Sequence, residues 1–201
     1  MEIRLPKNLM LLQEFIGNFP GVGSRSAQKI LVHLLKLPAG ELQKFAGLLS
    51  GIDGTIRYCG QCHFFLSDSL CPFCHNDSRD KSLLCVVEQF SDILGIEKTG
   101  NYQGLYHILG GVIAPLRGIG IEKLHLNTLT ERTRHGTKEV ILALNPETEG
   151  EVTMHFLTGL LKKESSDLIV SRLAFGLPVG ANLEYCDTRT LSEALNNRKT
   201  I

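Results

Sequence analysis

Two C-x-x-C pairs lie in the stretch Tyr58-Cys-Gly-Gln-Cys-His-Phe-Phe-Leu-Ser-Asp-Ser-Leu-Cys-Pro-Phe-Cys-His75. The paired residues are Cys59, Cys62, Cys71 and Cys74. A C-x-x-C turn brings two thiolates to one ion without straining the backbone, and two such turns complete the tetrahedral all-sulfur shell of structural zinc. We therefore predict one structural zinc ion per chain, in a closed shell that leaves no position for catalysis.

Other interpretations of the cysteines remain open at this stage. The four thiols can form a pair of disulfides, or each C-x-x-C can be a redox motif, although disulfides require an oxidising compartment and redox motifs usually occur singly. A second alternative replaces one sulfur ligand by His63 or His75, which flank the motif. Histidines in such positions more often support the ligands than bind the metal.

Composition and charge limit the classes of function. The 201 residues contain 21 basic and 21 acidic side chains, so total charge gives no argument for an anionic partner. The chain opens on the charged run Met-Glu-Ile-Arg-Leu-Pro-Lys and contains no apolar run of membrane-spanning length. We expect a cytoplasmic protein without a membrane partner.

The N-terminal segment is predicted to form helices on either side of a glycine turn. Apolar residues recur at helical spacing on either side of Phe19-Pro-Gly-Val-Gly-Ser-Arg-Ser26. Gly21 and Gly23 enclose Val22, and glycine adopts a positive φ at little cost, so this stretch predicts a tight hairpin between two helices. The segment from Met1 to Arg57 also carries seven Lys or Arg residues against four acids. Any contact with nucleic acid is therefore expected here.

The second of these helices is predicted to begin at about Ser24, with its free N–H groups suited to a phosphate oxygen. Arg25 and Lys29 are four residues apart and lie on one face beside that end. The pattern resembles a helix-hairpin-helix motif, which binds the DNA backbone without reading bases. From these residues alone, an ordinary helix-helix turn with a solvated basic face is an equal alternative.

The pattern changes to α/β after the cysteines. Short apolar runs rich in β-branched residues predict strands buried on both faces, as in a parallel sheet: Ser82–Glu88, Lys138–Leu144 and Asp167–Ser171. A helix is predicted between the last two, over Glu151–Lys163. For the basic run Thr130–Gly136 two interpretations are possible, an exposed turn or a contact with phosphate.

Acidic residues follow two of the predicted strands. Glu88 ends the first, and Asn145-Pro-Glu-Thr-Glu-Gly-Glu151 follows the second. This arrangement resembles the Toprim domain of topoisomerases, primases and related nucleases, in which a Glu serves acid/base chemistry and a D-x-D pair holds Mg²⁺. Asn145 stands where the first Asp of that pair is expected. Because an amide contributes no negative charge, the loop is expected to bind a cation only weakly, through Glu147, Glu149 and Glu151, or else to be a solvated or partner-docking surface.

The order of these parts resembles the RecR family of bacterial recombination mediators. The resemblance includes Arg172-Leu-Ala-Phe-Gly-Leu-Pro-Val-Gly180 and Leu183-Glu-Tyr185, and runs nearly end to end. It implies an α+β chain of four parts. These are a helical helix-hairpin-helix region over 1–54, a four-cysteine zinc finger over 55–78, an α/β Toprim domain with a mostly parallel sheet over 79–175, and a C-terminal strand and helix segment over 176–201 in oligomer contacts.

The same resemblance implies a non-enzymatic DNA-repair factor with no catalytic residues. Such a protein assembles as a dimer or a ring-shaped tetramer on single- or double-stranded DNA and, with RecO and in some settings RecF, loads RecA onto gaps covered by single-strand-binding protein. Gly21, Gly23, Arg25 and Lys29 would contact DNA, and Glu88, Glu147, Glu149 and Glu151 would be candidates for partner contact. The alternative is a Mg²⁺-dependent Toprim enzyme, with Glu88 as acid/base and Glu147 or Glu149 on the metal.

Overall fold

The computed structural model describes residues 5–52, 56–66, 70–198 and 200. The chain divides into two compact units, residues 1–56 and 57–201. Among the described residues, none of the helices combines the length and the apolar character that a membrane crossing requires.

The first unit is helical, as its sequence predicts. Its helices are α1 (Lys7–Gly17), α2 (Ser24–Lys36) and α3 (Ala39–Ser50). Ile16 of α1 and Ala27 and Leu31 of α2 are buried, and α1 and α2 pack against each other. Helix α3 buries none of its residues, although its apolar side chains recur at helical spacing. Periodicity therefore predicts this helix correctly but does not predict what covers it.

The second unit begins with a short antiparallel hairpin and continues as a parallel sheet with helices. The hairpin strands are β1 (Arg57–Tyr58) and β2 (Phe65–Leu66). The sheet strands are β3 (Asp80–Val87), β4 (Gly104–Ile108), β5 (Glu139–Ala143) and β6 (Ile169–Arg172). The helices are α4 (Phe90–Glu97), α5 (Leu126–Thr133), α6 (Thr148–Glu164) and α7 (Thr188–Asn196), with 3₁₀ turns at Pro115–Arg117, Ile121–Lys123 and Leu183–Tyr185.

The sheet has the strand order β4-β3-β5-β6, and every pairing in it is parallel. The chain first runs from β3 to β4 on one side and then crosses to β5 on the other side of β3. The carboxyl ends of β3 and β5 therefore flank the point at which the order reverses, which is where open α/β sheets place their ligand sites. Glu88 follows β3 and Asn145 follows β5, so the topology brings these two residues to that point.

The inner strands β3 and β5 are covered on both faces over most of their length, which explains their apolar runs. The edge strand β6 is not buried on both faces as predicted, because Ile169 at its start is 57% exposed. Leu84 and Val86 of β3 belong to one core, together with side chains of α5 and α6. Cys85 and Val87 alternate with them and belong to a second core, on the opposite face. That second core also contains Ile93 of α4 and three cysteines of the C-x-x-C pairs, Cys59, Cys62 and Cys71. The cysteine loops thus act as a layer of the fold.

Strand β4 is the main element that the sequence patterns do not predict. Its central residues, Tyr106 and His107, are fully buried although both carry polar atoms. The Tyr106 hydroxyl donates to Glu97 at 2.6 Å, and His107 Nε2 lies 2.9 Å from the carbonyl oxygen of His125. The run Leu105–Leu109 is rich in apolar and aromatic residues, and this composition is the feature of the sequence that could have predicted the strand.

The basic run Thr130–Gly136 begins within α5, and its two arginines have partners inside the chain. Arg132 Nη1 donates to the backbone carbonyl of Tyr106. Arg134 forms an ion pair with Glu164 at the end of α6. Both arginines therefore help to fix α5 against the sheet and α6.

A half-buried ion pair joins the segment after the cysteines to α4. Arg79 and Glu97 form two parallel hydrogen bonds of 2.9 and 2.6 Å, and the Arg79 guanidinium lies 5.0 Å from the ring centre of Phe73. Arg79 also donates to the carbonyl of Gly104 in β4. Bidentate arginine–carboxylate pairs combine charge with fixed geometry. The contacts of Arg79 therefore hold three segments together: the residues before β3, helix α4 and strand β4.

We expect Glu97→Gln to destabilise the protein by about 1–2 kcal/mol near neutral pH, because it weakens charge-assisted hydrogen bonds. The Arg79 hydrogen bond lowers the pKa of Glu97 below its ordinary 4.5. The stabilisation is therefore complete above pH 4.5 and is lost as the pH falls through the lower native value. Urea unfolding of both proteins across this range measures the difference. Glu41→Gln, at an exposed position on α3, is the control; an equal effect of both substitutions would contradict the prediction.

Candidate functional site

The sulfur atoms of Cys59, Cys62, Cys71 and Cys74 lie within 4.8 Å of one another. Cys59, Cys62 and Cys71 are buried and Cys74 is half-buried. Tetrahedral zinc–sulfur bonds of about 2.3 Å place neighbouring sulfurs about 3.8 Å apart, so the cluster has the size of one metal shell. Within the described ranges, it is the one group of three or more His, Cys, Asp or Glu residues that converges in this way.

Local hydrogen bonds shape each half of the cluster. The His63 N–H donates to the Cys59 carbonyl at 2.9 Å, and the Cys59 N–H donates to the Phe64 carbonyl at 2.8 Å. His63 has a φ of 62°, in the left-handed region that a non-glycine residue adopts only when its surroundings hold it. The Cys74 N–H lies 3.4 Å from the sulfur of Cys71. These turns present the sulfurs to a common centre.

The thiols of the cluster share protons, and this moves their pKa values in opposite directions. A hydrogen bond between Cys62 and Cys71, whose sulfurs lie 3.4 Å apart, holds the pKa of Cys71 well below its usual range and raises the pKa of Cys62. For Cys74, hydrogen bonding to Cys62 lowers the pKa, but hydrogen bonding to Cys71 and burial raise it by more. A metal ion replaces such shared protons, because it binds thiolates and releases the protons on binding.

The two flanking histidines have other partners. His75 Nδ1 accepts a hydrogen bond of 3.2 Å from the Cys71 N–H, so it supports the second turn. The His63 ring stacks on His125 with 3.6 Å between ring centres, and its Nε2 lies 2.8 Å from the Thr128 hydroxyl. Burial and the charges of His125 and Arg132 lower the pKa of His63 to about 4. His63 therefore packs the first C-x-x-C turn, Cys59–Cys62, against α5 and the residue before it.

Arg132 provides a test of whether a metal centre fits here. Arg132 and Cys74 line the same cavity, of about 510 Å³. The Nη2 atom of Arg132 is buried and has no hydrogen-bond partner among the described residues. An ion held by four thiolates keeps a net negative charge, which a neighbouring guanidinium offsets. The donor set and this unpaired cation thus both suit a bound metal.

The glycine turn of the first unit has two different conformations at its two glycines. Gly21 has a φ of 77°, which favours glycine, and the Val22 N–H donates to the Phe19 carbonyl at 3.0 Å. Gly23 instead has extended backbone, with φ −82° and ψ 172°, and precedes the first residue of α2. Only Gly21 therefore needs the left-handed region, and Gly23 is the N-cap.

Arg25 and Lys29 lie on α2, on the exposed surface. With Gln28 and Val32 they line a shallow cavity of about 450 Å³. In the part of the chain that the structure describes, neither side chain forms an ion pair. The structure therefore brings together two available cations one helical turn apart, beside a helix N-terminus.

Glu88 and Asn145 meet at the point where the strand order reverses. The Asn145 side-chain amide donates to Glu88 Oε2 at 3.1 Å. An aspartate in place of this asparagine would set two carboxylates against each other, which a cation would have to neutralise. The amide instead satisfies the glutamate directly, so this pair is stable without an ion.

The remaining acids lie at the start of α6 and point to different partners. Glu147 is the exposed N-cap residue, Glu149 forms an ion pair with Arg117, and Glu151 pairs with Arg172 and Arg189. Gly150, between the last two acids, has no room for a side chain, because a Cβ atom there would lie 1.9 Å from the Asn145 carbonyl oxygen. Glu149 and Glu151 are therefore satisfied by separate arginines and do not converge on one centre.

Sequence reasoning misses the three arginines that pair with these acids. Arg117 and Arg189 are 32 and 38 residues from their glutamate partners, so no local pattern joins them. Phe175 supports the second group, because the guanidiniums of Arg172 and Arg189 lie 4.6 and 5.9 Å from its ring centre.

Comparison with known proteins agrees with this architecture. The family model of the Toprim domain matches residues 82–174, and the model described as RecR, C-terminal, matches residues 176–199. A protein named Recombination protein RecR from Synechococcus sp. (strain JA-2-3B'a(2-13)) is 42% identical over 194 residues, which cover 96% of this chain and 98% of that relative. Proteins of the same name from Rippkaea orientalis and Clostridium perfringens (strain 13) are 43% and 42% identical, over 96% and 95% of this chain and 97% and 95% of their own lengths.

Proposed function

Because this chain belongs to the RecR family of recombination proteins, we propose that it is a DNA-binding mediator of recombination and repair that catalyses no reaction itself. Its role is to hold DNA and to bring other proteins to it. The observation that carries this proposal is the exposed pair Arg25 and Lys29 beside the N-terminus of α2, with no acid paired to either within the described residues. Phosphate contacts of this kind bind single- and double-stranded DNA without reading sequence.

The acidic edge of the sheet supports a role without chemistry. Mg²⁺ requires carboxylates in near-ideal octahedral geometry. Glu88 is held by Asn145, and Glu149 and Glu151 are held by arginines. Recruiting these acids to a metal would break three sets of contacts. We therefore propose that this surface contacts a partner protein, with Glu147 as its most exposed acid.

The partners follow from the family. We propose that the chain acts in the cytoplasm with RecO, and in some settings RecF, to load RecA onto gaps covered by single-strand-binding protein. We also propose a homo-oligomer, a dimer or a ring-shaped tetramer. Its support is the apolar surface of the first unit, where Phe15 of α1 is 64% exposed and Leu48 of α3 is 66% exposed. Contacts with the DNA backbone that are weak in one subunit bind more tightly when a ring repeats them, because each bound subunit raises the effective concentration of DNA at the next.

The cysteine cluster is proposed to hold one structural zinc ion per chain. The four thiols converge and offer one sulfur ligand each. Four sulfur ligands fill the tetrahedral shell of structural zinc and leave no position for water or substrate. The ion would supply folding energy and no reactivity. The residues that bind it would be Cys59, Cys62, Cys71 and Cys74.

Reconstitution tests the function directly. We expect the purified chain, together with RecO, to accelerate RecA filament formation on gapped DNA covered by single-strand-binding protein, and to leave every phosphodiester bond intact in Mg²⁺. Light scattering of the same mixture gives the mass of the assembly. Phosphodiester cleavage or synthesis that is lost in Glu88→Gln would instead identify a Toprim enzyme. Failure to affect loading under conditions in which a RecR relative is active would overturn the proposal.

A further inference from the structure

A cavity of about 590 Å³ opens at the carboxyl ends of β3 and β4, within the second unit. We call it the aromatic cavity, and its principal lining residues are Tyr58, Phe65, Glu88, Phe90, Ile108 and His125. Its volume is in the range of sites for small organic groups, roughly 300–1,000 Å³. The carboxyl edge of a parallel sheet is also where ligands of such folds bind. None of the four clustered cysteines lines the cavity, although Tyr58 and His63, which do, are the sequence neighbours of Cys59 and Cys62.

Three rings from different elements form one wall of this cavity. Tyr58 of β1 and Phe65 of β2 have ring centres 5.4 Å apart, and Phe65 and Phe90, at the start of α4, have ring centres 4.7 Å apart. Among the described residues, none of the three belongs to either core of the sheet. Tyr58 is 58% exposed and Phe90 is 41% exposed. Ring faces left open in this way suit a planar aromatic ligand that stacks on them.

Two polar side chains of the cavity, Glu88 and His125, offer hydrogen-bond acceptors, and Glu88 also carries negative charge. Glu88 uses Oε2 to accept from Asn145, while its Oε1 accepts no hydrogen bond from the described residues. His125 Nδ1 lies 2.9 Å from the Ile108 carbonyl oxygen, so Nδ1 carries the proton and Nε2 is left as an acceptor. A carboxylate in this position repels a phosphate group. It is complementary to the amino group of adenine, cytosine or guanine.

We propose that the aromatic cavity takes an unpaired base of single-stranded DNA, stacked on Tyr58 and Phe90, with its amino group directed to Glu88. This inference rests on the proposed function and adds to it a preference for single strands. In a duplex the bases are stacked and paired, so none is free to enter. In a single strand every base has an open face, and stacking on a protein ring is worth about 1–3 kcal/mol per base.

The experiment compares one single-stranded oligonucleotide with an otherwise identical strand that carries abasic sites. We expect the complete chain to bind the base-bearing strand about tenfold more tightly, and Phe90→Leu or Tyr58→Leu to remove most of that difference while binding of the abasic strand stays unchanged. A 2-aminopurine base in the strand should lose fluorescence when it stacks in the wild-type cavity. Glu88→Gln should reduce the preference for adenine- and cytosine-rich strands over thymine-rich strands.

Tyr185→Leu is the matched control, since this ring is 82% exposed and lies outside the cavity. Thermal unfolding of each variant shows whether the fold is retained. Equal affinity for base-bearing and abasic strands would overturn this inference and leave the proposed function standing. A chain that binds neither strand would overturn both. Free deoxyadenosine monophosphate bound as tightly as the strand would reassign the cavity to a nucleotide and also overturn the inference.

Discussion

Cys62→Ser is expected to abolish metal binding and to lower the melting temperature by roughly 10 °C or more, since metal-binding energy in such a site is folding energy. Cys62 is completely buried, at the centre of the cluster. A serine hydroxyl is a poor ligand for zinc and leaves three thiolates around an incomplete shell. Metal analysis of the purified protein and thermal unfolding measure the two effects. A chelator added to the wild-type protein should reproduce the loss of stability.

Cys186→Ser is the matched control for this prediction. Cys186 is a half-buried thiol outside the cluster, and its thiol makes a weak hydrogen bond to the Asn182 carbonyl. We expect this variant to keep about one metal ion per chain and the wild-type melting temperature. If wild-type protein free of metal melted at the same temperature as the loaded protein, the cluster would have no structural role.

The second large effect is expected at α2. Arg25→Glu combined with Lys29→Glu should weaken DNA binding by roughly a hundredfold or more at low salt, because two attractive phosphate contacts become repulsive. The dependence of affinity on salt should also fall, by about one unit of slope for each lost contact. Both side chains are exposed, so the fold should be retained. Fluorescence anisotropy over a series of salt concentrations measures affinity and slope together.

The control for this pair changes the same number of charges elsewhere in the first unit. Lys36→Glu with Lys44→Glu reverses two other exposed cations, one at the end of α2 and one on α3. If binding depends on the hairpin, this variant should retain most of the wild-type affinity. An equal loss in both double variants would show that net charge, and not the site beside Gly23, holds the DNA.

The features that the sequence predicts are those that depend on neighbours along the chain. The C-x-x-C spacing predicts the cluster because each pair is brought together by a single turn. The start of α2 at Ser24 follows from the glycine turn before it. The apolar runs predict β3, β5 and β6 within a few residues of their observed bounds. For β3 and β5 the physical reason is cover on both faces, which favours apolar side chains, whereas β6 carries an apolar run although it is only partly covered.

The rest depends on contacts between distant residues. Strand β4 carries Tyr106 and His107 in its centre, where Glu97 pairs with the Tyr106 hydroxyl and the His125 carbonyl pairs with His107 Nε2. His107 Nδ1 is buried without a hydrogen-bond partner among the described residues. The acids after β5 look available for a metal until Arg117 and Arg189 are placed beside them. The aromatic cavity likewise forms from rings on three elements that have no common sequence pattern.

Three cysteines of the C-x-x-C pairs belong to the second core of the sheet, and this has a consequence for how the chain changes over generations. Cys62 and Cys71 share that core with Cys85, Val87 and Tyr106. A change in the size of any one of these side chains would shift the cysteines of the proposed metal site, and a displaced cysteine loop would remove cover from the strands. Substitutions on the two sides are therefore expected to accumulate in compensating pairs, so the loop and the sheet face are inherited as one unit.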